Sequence, residues 1–414
     1  MQSSPQFSQL LASKLDPEKS QLIRSVGQLA SEIGINIFLV GGAVRDLIIG
    51  RPIEDLDLVV EGDAEDIAYQ IAKRLSGRVI STSKFSTAKL KVDGSTLDLV
   101  TARREYYPQS GALPEVMPGT IKDDLERRDF SINTLAFPIH DLAAGEIINE
   151  FGGLEDIRDS LVRVLHDKSF RDDPTRMIRA IRYEKRLGFK IEFNTQNLLV
   201  SHAAMLRNVT GNRIRNEMAN VLKESEVGEL LLRLHSVGIL GNIHPALEKA
   251  LGTLEDAVDK GIEKHLGEQF WVGLLSYSMT SESFEELIDR LGIPGRCSKL
   301  VRELASLKKV LSLMENSDIS PVEVYDILYH YDPTVIKVCI AAEKNRDSVK
   351  NVIWFQNIFP LTKPFLNGKD LLLLGVAEGP DVGRMLARLR RAKVLGSLGS
   401  KSDEIEFVRS IIPK

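Results

Sequence analysis

Short apolar segments separated by glycine, aspartate and serine follow one another between residues 35 and about 137. Runs of about four to eight branched or apolar residues, bounded by turn residues, are typical of strands. One longer segment, GDAEDIAYQIAKRLSG, instead repeats its apolar residues with the spacing of a helix. The segments predicted as strands are INIFLV, LDLVV, GRVISTS, TAKLKV, STLDLVTA and INTLAF.

Helical spacing replaces this pattern after about Gly153 and continues to the C terminus. Residues 1–34 are also predicted to form one or two short amphipathic helices. Such runs of like elements favour an α+β fold, in which a mixed α/β head with a sheet of about five strands precedes an all-helical remainder. Clear helical segments are PTRMIRAIRYEKRLGF, GNRIRNEMANVLKES, SFEELIDRLG and VGRMLARLRRAKVLG.

The composition excludes several classes of protein. With 414 residues, of which 43% are hydrophobic and 27% charged, the length predicts about two to four globular domains. The N terminus lacks a secretory signal pattern, and no apolar run approaches the roughly 20 residues that span a bilayer. Cys297 and Cys339 lie in unrelated contexts, and the seven histidines have no zinc-ligand spacing. We therefore expect a cytoplasmic protein without membrane contact.

Basic residues are concentrated locally although the formal net charge is -4. Residues 171–224 hold 11 Lys/Arg against 6 Asp/Glu, and residues 384–400 hold five basic residues and no acidic one. A polyanionic partner would therefore be bound by these stretches and not by the charge of the whole chain.

Two glycines, Gly41 and Gly42, separate a predicted strand from a predicted helix in LVGGAVRDLIIG. Without side chains, their backbone N–H groups can approach a phosphate, which the positive end of a helix also favours. Arg45, one turn into the helix, can reach the same anion. The segment lacks the glycine spacing of a dinucleotide site and the Lys-Ser/Thr pair of a P-loop, so a simple tight turn is the alternative.

Asp55 and Asp57 lie two positions apart in the apolar segment EDLDLVV, so their side chains face the same way if both are in a strand. Unpaired carboxylates are costly to bury, and a cation is expected in front of them. Two carboxylates beside a phosphate cradle suit two divalent cations, which neutralise phosphate oxygens and activate a hydroxyl. Asp98, on another predicted strand, is a candidate third ligand. A solvated edge strand is the alternative.

Arg127, Arg128 and Asp129 precede an apolar run in DDLERRDFSINTLAF. A guanidinium donates to phosphate or ribose oxygens, and a carboxylate accepts from a hydroxyl. Selection of a ribonucleotide requires both roles. A salt-bridged start of a helix explains the same residues equally well.

A third charged segment, FRDDPTRMIRAIRYEKRLGF, begins with Asp173 and Pro174, which are typical of a helix cap followed by proline at the first helical position. Arg176, Arg179 and Arg182 recur every third residue on one broad face, while the apolar residues between them can serve the core. Such arginines are commonly a solvated surface. If they face the carboxylates across a cleft, they would instead receive phosphates and a base.

The ordered set of these segments resembles the bacterial class II tRNA nucleotidyltransferases, the CCA-adding family and its relatives in the DNA polymerase beta superfamily. The resemblance covers about residues 35–224, with weaker support from LNGKDLLLLGVAEGPDVGRMLARLRRA. The parts that it implies are N-terminal helices (1–34), a nucleotidyltransferase head (35–153), a helical neck for nucleotide selection (154–224), a helical body (225–330) and a helical tail that binds tRNA (331–414).

The resemblance also implies a role for each matched residue. Asp55 and Asp57 would be catalytic and would bind two Mg²⁺ ions. The tRNA acceptor arm would contact the basic tail stretch, for which the candidates are Arg384, Arg388 and Arg391. The residues that would bind the nucleotide are Gly41, Gly42, Arg45, Arg128, Asp129, Asp173, Arg176, Arg179 and Arg182.

Within this family pattern, Asp173 and Arg176 would select the base. A carboxylate that only accepts and a guanidinium that only donates match the edges of cytosine and adenine, whereas guanine and uracil present a keto oxygen to the carboxylate. We therefore expect addition of the 3'-terminal CCA to tRNA from CTP and ATP without a nucleic-acid template, with release of pyrophosphate; no protein partner is implied. Asp172 stands where the family pattern has glutamate, which shortens the arm beside Asp173.

Three alternatives stay open. A poly(A) polymerase usually carries a GRRF-like segment where this chain has TSKFSTAKLKV, which favours the tRNA enzyme. Residues 103–122 correspond to the flexible region associated with the final A; their presence argues against CC-only addition but does not separate CCA addition from addition of A alone. An inactive RNA- or nucleotide-binding protein would be expected to have lost residues such as Asp55, Asp57 and Asp129, all of which are present.

Overall fold

The chain folds into two compact units in the computed structural model. The first comprises Met1–Met218 and Ser236–Ile243, and the second comprises Ala219–His235 and His244–Lys414. The five-part division expected above stays a prediction. The residues that the structure describes are 9–11, 13–53, 55–83, 86–106, 114–142, 145–262, 266–314 and 319–412.

A mixed six-stranded sheet is the centre of the first unit. Its order is β3-β4-β5-β2-β1-β8, in which β2 and β5 run parallel and the other neighbours antiparallel. The first eight strands of the chain are β1 (Ile37–Val40), β2 (Leu56–Val60), β3 (Arg78–Ser83), β4 (Thr87–Val92), β5 (Ser95–Thr101), β6 (Arg103–Tyr106), β7 (Glu115–Pro118) and β8 (Ala136–Pro138).

The predicted strands agree with the sheet except at two places. INTLAF is only partly a strand, because Ser131–Asn133 forms a 3-10 turn in which Thr134 Oγ1 donates to the carbonyl of Ser131 at 2.7 Å. The sequence predicted no strand in residues 103–122, where β6 and β7 form a separate antiparallel pair. Residues 107–113 of this segment lie outside the described residues.

Helices surround the sheet and form the rest of the first unit. Buried Phe38, Val59 and Leu125 belong to one hydrophobic cluster beside the sheet. A two-residue parallel pair, β9 (Leu161–Val162) and β10 (Lys190–Ile191), is the remaining strand structure. The first nine helices are α1 (Pro17–Glu32), α2 (Gly42–Ile49), α3 (Ala64–Arg74), α4 (Ile121–Glu126), α5 (Gly153–Arg158), α6 (Ser169–Asp172), α7 (Thr175–Leu187), α8 (Phe193–His202) and α9 (Gly211–Val221).

The second unit is helical throughout its described residues, as the sequence predicts after Gly153. Its last three helices enclose a small core that includes Leu371, Leu389 and Val408. Of the helices that follow α9, α11 belongs to the first unit. These helices are α10 (Val227–Ser236), α11 (Ile239–Ile243), α12 (Leu251–Asp259), α13 (Gly267–Ser276), α14 (Ser281–Leu291), α15 (Gly295–Met314), α16 (Pro321–Leu328), α17 (Pro333–Ala342), α18 (Arg346–Ile358), α19 (Gly368–Leu373), α20 (Pro380–Val394) and α21 (Lys401–Ile411).

No helix in the described part of the chain combines the length and the apolar character that crossing a bilayer requires.

Candidate active site

A cavity of about 720 Å³ in the first unit collects most of the charged residues singled out in the sequence. Its lining comes from the glycine turn and α2, the start of β2, the segment between α4 and β8, and the helices α7 and α9. The predicted residues that line it are Gly42, Arg45, Asp55, Asp57, Arg128, Asp129, Asp173, Arg176 and Arg179.

Asp55 and Asp57 both line the cavity, but only Asp57 lies in a strand. Pairing of β2 with β5 begins at Leu56, so Asp55 directly precedes the strand and is exposed. Asp57 faces the open cavity and lies opposite Asp98 of β5. The expected strand position of Asp55 is therefore wrong by one residue, although both carboxylates reach the same cavity.

Negative charge accumulates at Asp57. Asp57 is exposed to the cavity, but desolvation by the surrounding protein, followed by repulsion from Asp98 and Asp55, raises its pKa, and the attraction of Arg128 only partly offsets these effects. Asp98 is in an ion pair with Lys89, at 3.1 Å, and is not part of the cavity lining. In the described part of the chain, no three His, Cys, Asp or Glu side chains are grouped so as to hold a metal, and Asp98 as a third ligand stays a prediction.

Arg45 lies at the floor of the cavity on α2 and is 3% exposed. Its Nε and Nη2 donate to the two carboxylate oxygens of Asp46 at 2.9 and 3.0 Å, and its Nη1 donates to Oδ1 of Asn133. Burial works against the charged guanidinium, but the hydrogen bond and charge of Asp46 give Arg45 a net raised pKa. Arg45 is therefore a fixed cation beside Gly42.

Gly41 makes room for Arg128. Its φ of +64° lies in the left-handed region, and a side chain there would collide with Nη1 of Arg128. Arg128 is held from the other side by Asp124, which is fully buried and accepts its Nη2 at 2.9 Å. Asp124 also accepts Nη2 of Arg127 at 2.6 Å. One buried carboxylate thus orients both neighbouring arginines.

Asp129 uses both carboxylate oxygens for hydrogen bonds within the protein. Its Oδ1 accepts the backbone N–H of Phe130 at 2.9 Å and Nδ2 of Asn133 at 2.8 Å. Its Oδ2 accepts Nε and Nη2 of Arg179 at 2.8 and 2.6 Å. Burial alone would raise the pKa of Asp129, but the charge of Arg179 and these bonds hold it at about 2. The same attraction raises the pKa of Arg179.

Asp173 precedes α7 and is fixed by three donors. Its Oδ1 accepts the backbone N–H and the hydroxyl of Thr175 at 3.0 and 2.7 Å, and Nη2 of Arg213 lies 2.7 Å away. The helix begins at Thr175 and Pro174 occupies the N-cap position, one residue later than the sequence predicts. Because the Asp173 side chain still bonds the first turn, its expected capping interaction is retained at the shifted start.

Arg176 and Arg182, the other two arginines of α7 that were predicted to bind the nucleotide, are more buried than residues of a solvated surface. Arg176 is 5% exposed and donates Nη2 to the backbone carbonyl of Arg127 at 2.8 Å. Arg182 is 9% exposed and lies outside the cavity lining, with its guanidinium carbon 5.3 Å from the ring centre of Tyr183. The structure therefore brings Arg176 to the cavity and places Arg182 behind Tyr183.

Several cavity residues escaped the sequence reasoning. Asn133 bonds two predicted nucleotide residues, Tyr183 lies beneath three guanidinium groups, and Glu217 accepts Nη1 of Arg179 at 3.5 Å. For Asn133, a signal was present: a polar amide in the otherwise apolar run INTLAF. Tyr183 resembles any buried aromatic residue of a helix, and its position gave no comparable signal.

The predicted tail arginines lie on α20 in the second unit. Arg384 pairs with Asp381 at 2.5 Å and Arg391 pairs with Asp326 at 2.7 Å, whereas Arg388 is exposed. Their contact with RNA stays a prediction.

Comparisons with known proteins agree with this arrangement. The family model described as "Poly A polymerase head domain" matches residues 37–163, and that described as "Probable RNA and SrmB- binding site of polymerase A" matches residues 188–251. The solved apo form II of a CCA-adding enzyme superposes with a TM-score of 0.78 at 29% identity over 98% of each chain. The Thermotoga maritima CCA-adding enzyme complexed with tRNA_CCA gives 0.76 at 28% identity over 97% of this chain and 98% of that one.

Curated relatives extend the likeness over nearly the whole chain. An A-adding tRNA nucleotidyltransferase of Geobacter sulfurreducens is 34% identical over 93% of this chain, which spans only 46% of that relative's length. An A-adding tRNA nucleotidyltransferase of Halalkalibacterium halodurans is 29% identical over 97% of this chain and 94% of the relative. A CC-adding tRNA nucleotidyltransferase of Geobacter sulfurreducens is 30% identical over 92% of this chain and 94% of the relative. The chain therefore belongs to the tRNA nucleotidyltransferase family.

Proposed function

We propose that the protein adds the 3'-terminal CCA to tRNA, by transfer of C and A residues from CTP and ATP without a nucleic-acid template. The observation that carries the proposal is the cavity itself, which is lined by two carboxylates, Asp55 and Asp57, together with fixed guanidinium groups such as Arg45 and Arg128. Carboxylates for metal and cations for phosphate are the two requirements of phosphoryl transfer.

Asp55 and Asp57 fit a divalent cation. Both carboxylates open to the cavity. The pKa of Asp57 is raised by desolvation and by its acidic neighbours, which indicates an electrostatic field that a cation would relieve. Two Mg²⁺ ions held by these carboxylates, as the family pattern implies, would lower the pKa of the RNA 3'-hydroxyl and would neutralise charge on the triphosphate.

The remaining residues bind and orient the nucleotide. Arg45 and Arg128 present N–H donors to the triphosphate beside Gly42, where α2 begins. Asp129 is ionised, so it can accept a ribose hydroxyl in exchange for one of its present donors. The bond network keeps each of these groups oriented before the nucleotide arrives, which reduces the cost of ordering them on binding.

Asp173 and Arg176 would recognise the base. Thr175 and Arg213 fix the Asp173 carboxylate, and the carbonyl of Arg127 fixes Arg176. A rigid acceptor beside a rigid donor favours cytosine and adenine over guanine and uracil, because a misplaced keto oxygen leaves the carboxylate without a donor.

Addition of A alone is the second candidate. Two of the relatives described above are named A-adding enzymes, while others are named CC-adding or CCA-adding. The two candidates share the chemistry of the cavity and differ in whether CTP is also a substrate.

Three tRNA transcripts, ending before CCA, after C and after CC, test both candidates when incubated with Mg²⁺ and CTP, ATP or both. Extension of all three to CCA supports the proposal, extension of only the last supports A addition, and long A tails would indicate a poly(A) polymerase. An absence of incorporation would overturn the assignment.

Variants then test the proposed site. Asp55→Ala with Asp57→Ala should abolish incorporation, whereas Asp66→Ala, which removes an exposed carboxylate on α3, should not. Undiminished activity of the double variant would contradict the catalytic role. Asp98→Asn tests the third ligand, because loss of a ligand should raise the Mg²⁺ concentration needed for half-maximal rate.

The tail proposal has its own test. Arg388→Ala on α20 should weaken binding of every tRNA to a similar extent and reduce the slope of log affinity against log salt by about one, as the loss of a phosphate contact does. Variants of Arg384 and Arg391 should show smaller effects, because Asp381 and Asp326 already pair with them.

A further inference from the structure

The side chain of Asn133 joins the parts of the proposed nucleotide site. It is 5% exposed and lines the cavity. Its Oδ1 accepts Nη1 of Arg45, and its Nδ2 donates to Oδ1 of Asp129 at 2.8 Å. Its backbone carbonyl also accepts Nη1 of Arg128 at 3.4 Å. One buried residue thus contacts three of the residues proposed to hold the nucleotide.

An amide is the chemical group that these two neighbours require. Arg45 offers only donors and needs an acceptor, while the Asp129 carboxylate offers only acceptors and needs a donor. Asparagine presents one acceptor and one donor at the same reach from the backbone. An aspartate at position 133 would keep the acceptor for Arg45 but would place a second carboxylate against Asp129, and an alanine would serve neither neighbour.

Both neighbours of Asn133 are also held by other residues. Arg45 has a second anchor in Asp46, which takes two of its N–H groups. At Asp129, Oδ1 is held by Asn133 and one backbone N–H, while Oδ2 faces Arg179. A carboxylate at position 133 keeps the acceptor for Arg45 and removes only the donor to Asp129, so Asn133→Asp would disturb Asp129 more than it disturbs Arg45.

We propose that Asn133 is a positioning residue that sets the orientation of Asp129 relative to Arg45, and that it thereby contributes to discrimination between ribo- and deoxyribonucleotides. The inference rests on the proposed function, in which Asp129 accepts a ribose hydroxyl and Arg45 binds the triphosphate. Asn133 acts through these two side chains and makes no nucleotide contact of its own in this proposal.

The test compares ATP with 2'-deoxy-ATP on a tRNA transcript that ends in CC. In Asn133→Asp, we expect kcat/KM for ATP to fall and that for deoxy-ATP to change little, so that their ratio decreases about tenfold, in line with the loss of one hydrogen bond to a charged group. Calorimetric titration of the full-length protein with each nucleotide, without tRNA, should show the same decrease in the ratio of dissociation constants.

The matched control is Asn149→Asp. Asn149 also uses both ends of its amide, since its Oδ1 accepts the N–H of Leu154 at 3.1 Å and its Nδ2 donates to Glu155 at 2.8 Å. It lies in the same unit but outside the cavity lining. The substitution therefore also brings two carboxylates together, here at an exposed position, and the ratio of ATP to deoxy-ATP efficiency should stay at the wild-type value.

A double variant tests whether Asn133 acts through Asp129. In an Asp129→Asn background, Asn133→Asp should produce little further loss of ribose discrimination, because the acceptor that it positions is already changed. Full additivity of the two losses would contradict the proposal.

The outcomes separate this inference from the function beneath it. If the wild-type protein neither binds ATP nor incorporates it, the proposed function fails. If the wild type incorporates ATP and folded Asn133→Asp keeps the wild-type ratio, the role of Asn133 is overturned while the function stands. If circular dichroism shows that Asn133→Asp is unfolded, the ratio of ATP to deoxy-ATP efficiency is measured on Asn133→Ala instead. A wild-type ratio in that variant would overturn the proposal.

Discussion

Asp124 should be the most sensitive position of the site that does not itself line the cavity. It is fully buried in the first turn of α4 and holds Arg127 and Arg128, both of which do line the cavity. Asp124→Asn preserves the shape of the side chain while removing its charge and one of its two acceptor oxygens. The perturbation therefore isolates the electrostatic role of the carboxylate.

The contacts of the carboxylate set the size of the effect. Its Oδ1 accepts two N–H groups of Arg127 at 3.0 and 2.6 Å, and its Oδ2 accepts two of Arg128 at 3.3 and 2.9 Å. Breaking a buried ion pair costs about 3–5 kcal/mol. Because Arg127 also bonds Glu105 at 3.1 Å and Arg128 also bonds the carbonyl of Asn133 at 3.4 Å, we expect the lower value, about 3 kcal/mol.

The assay must report on the first unit. Both tryptophans, Trp271 and Trp354, lie in the second unit, so tryptophan fluorescence would follow the wrong part of the chain. Hydrogen exchange of peptides from residues 121–142, together with far-ultraviolet circular dichroism, follows the unfolding of the first unit. A loss of about 3 kcal/mol lowers the unfolding temperature of a unit of this size by about 6–12 °C. The KM for ATP should also rise, because Arg128 is no longer held in place.

Asp123→Asn is the matched control. Asp123 is the neighbouring carboxylate of the same helix and is only partly buried. It accepts the backbone N–H and the hydroxyl of Thr120 at 2.7 and 2.8 Å. Its substitution should cost less than about 1 kcal/mol, the usual value of a capping bond. If Asp124→Asn unfolds at the same temperature as Asp123→Asn and retains the wild-type KM, the carboxylate does not hold the arginines as argued here.

Three further predictions follow from single contacts. Tyr183→Leu removes a ring whose centre lies 5.2, 5.3 and 5.8 Å from three guanidinium carbons. The KM of this variant for ATP should rise about tenfold. Tyr183→Phe keeps the ring, so its KM should stay near the wild-type value. Gly41→Ala should lower both stability and incorporation by displacing Arg128, and Gly42→Ala, whose methyl group meets only an ordinary contact, should unfold like the wild type. The pKa of Asp129 is about 2 against a reference of 3.8, so its ionisation contributes about 2 kcal/mol to stability above pH 4, and this is lost as the pH falls towards 2. The free energy of unfolding of Asp129→Asn, measured in urea, should therefore decline less steeply over this pH range than that of the wild type. An equally steep decline would refute the assignment.

The sequence predicted the fold well wherever a periodic pattern decided the structure. The five predicted strands from β1 to β5 and the helices α3, α7 and α20 were found as expected, because their apolar residues repeat with the spacing of the element. The sequence did not predict the antiparallel pair of β6 and β7. The residues of these strands are exposed or intermediate in burial, so the pair has no apolar alternation to detect. Such strands are decided by tertiary contacts and not by local pattern.

The composition of the site was predicted better than its internal bonding. Gly42, four of the predicted acids and four of the five arginines predicted to bind the nucleotide do line one cavity, since motif spacing brings them to the turns and helix ends around the sheet. Gly41, Asp98 and Arg182 do not line it. Sequence reasoning could not show that Asp129 is bound by Arg179, because these residues lie 50 positions apart. It also could not distinguish Arg182, which lies behind Tyr183, from the two arginines that precede it on α7, since all three share the same spacing.

These bonds change how the arginines should be understood. Arg45 and Arg179 are each bonded to acids, Asp46 and Asp129, and Asn133 connects the two pairs through its donor and its acceptor. A guanidinium that is already paired is held in one orientation, and the charge of its acidic partner keeps it ionised despite its burial. A triphosphate that enters the cavity therefore meets cations whose positions are set, and it binds by sharing or replacing existing partners without first having to order flexible side chains. The acids that accompany the arginines in the sequence are consequently part of nucleotide binding, and exchanging one of them should alter nucleotide selectivity as well as stability.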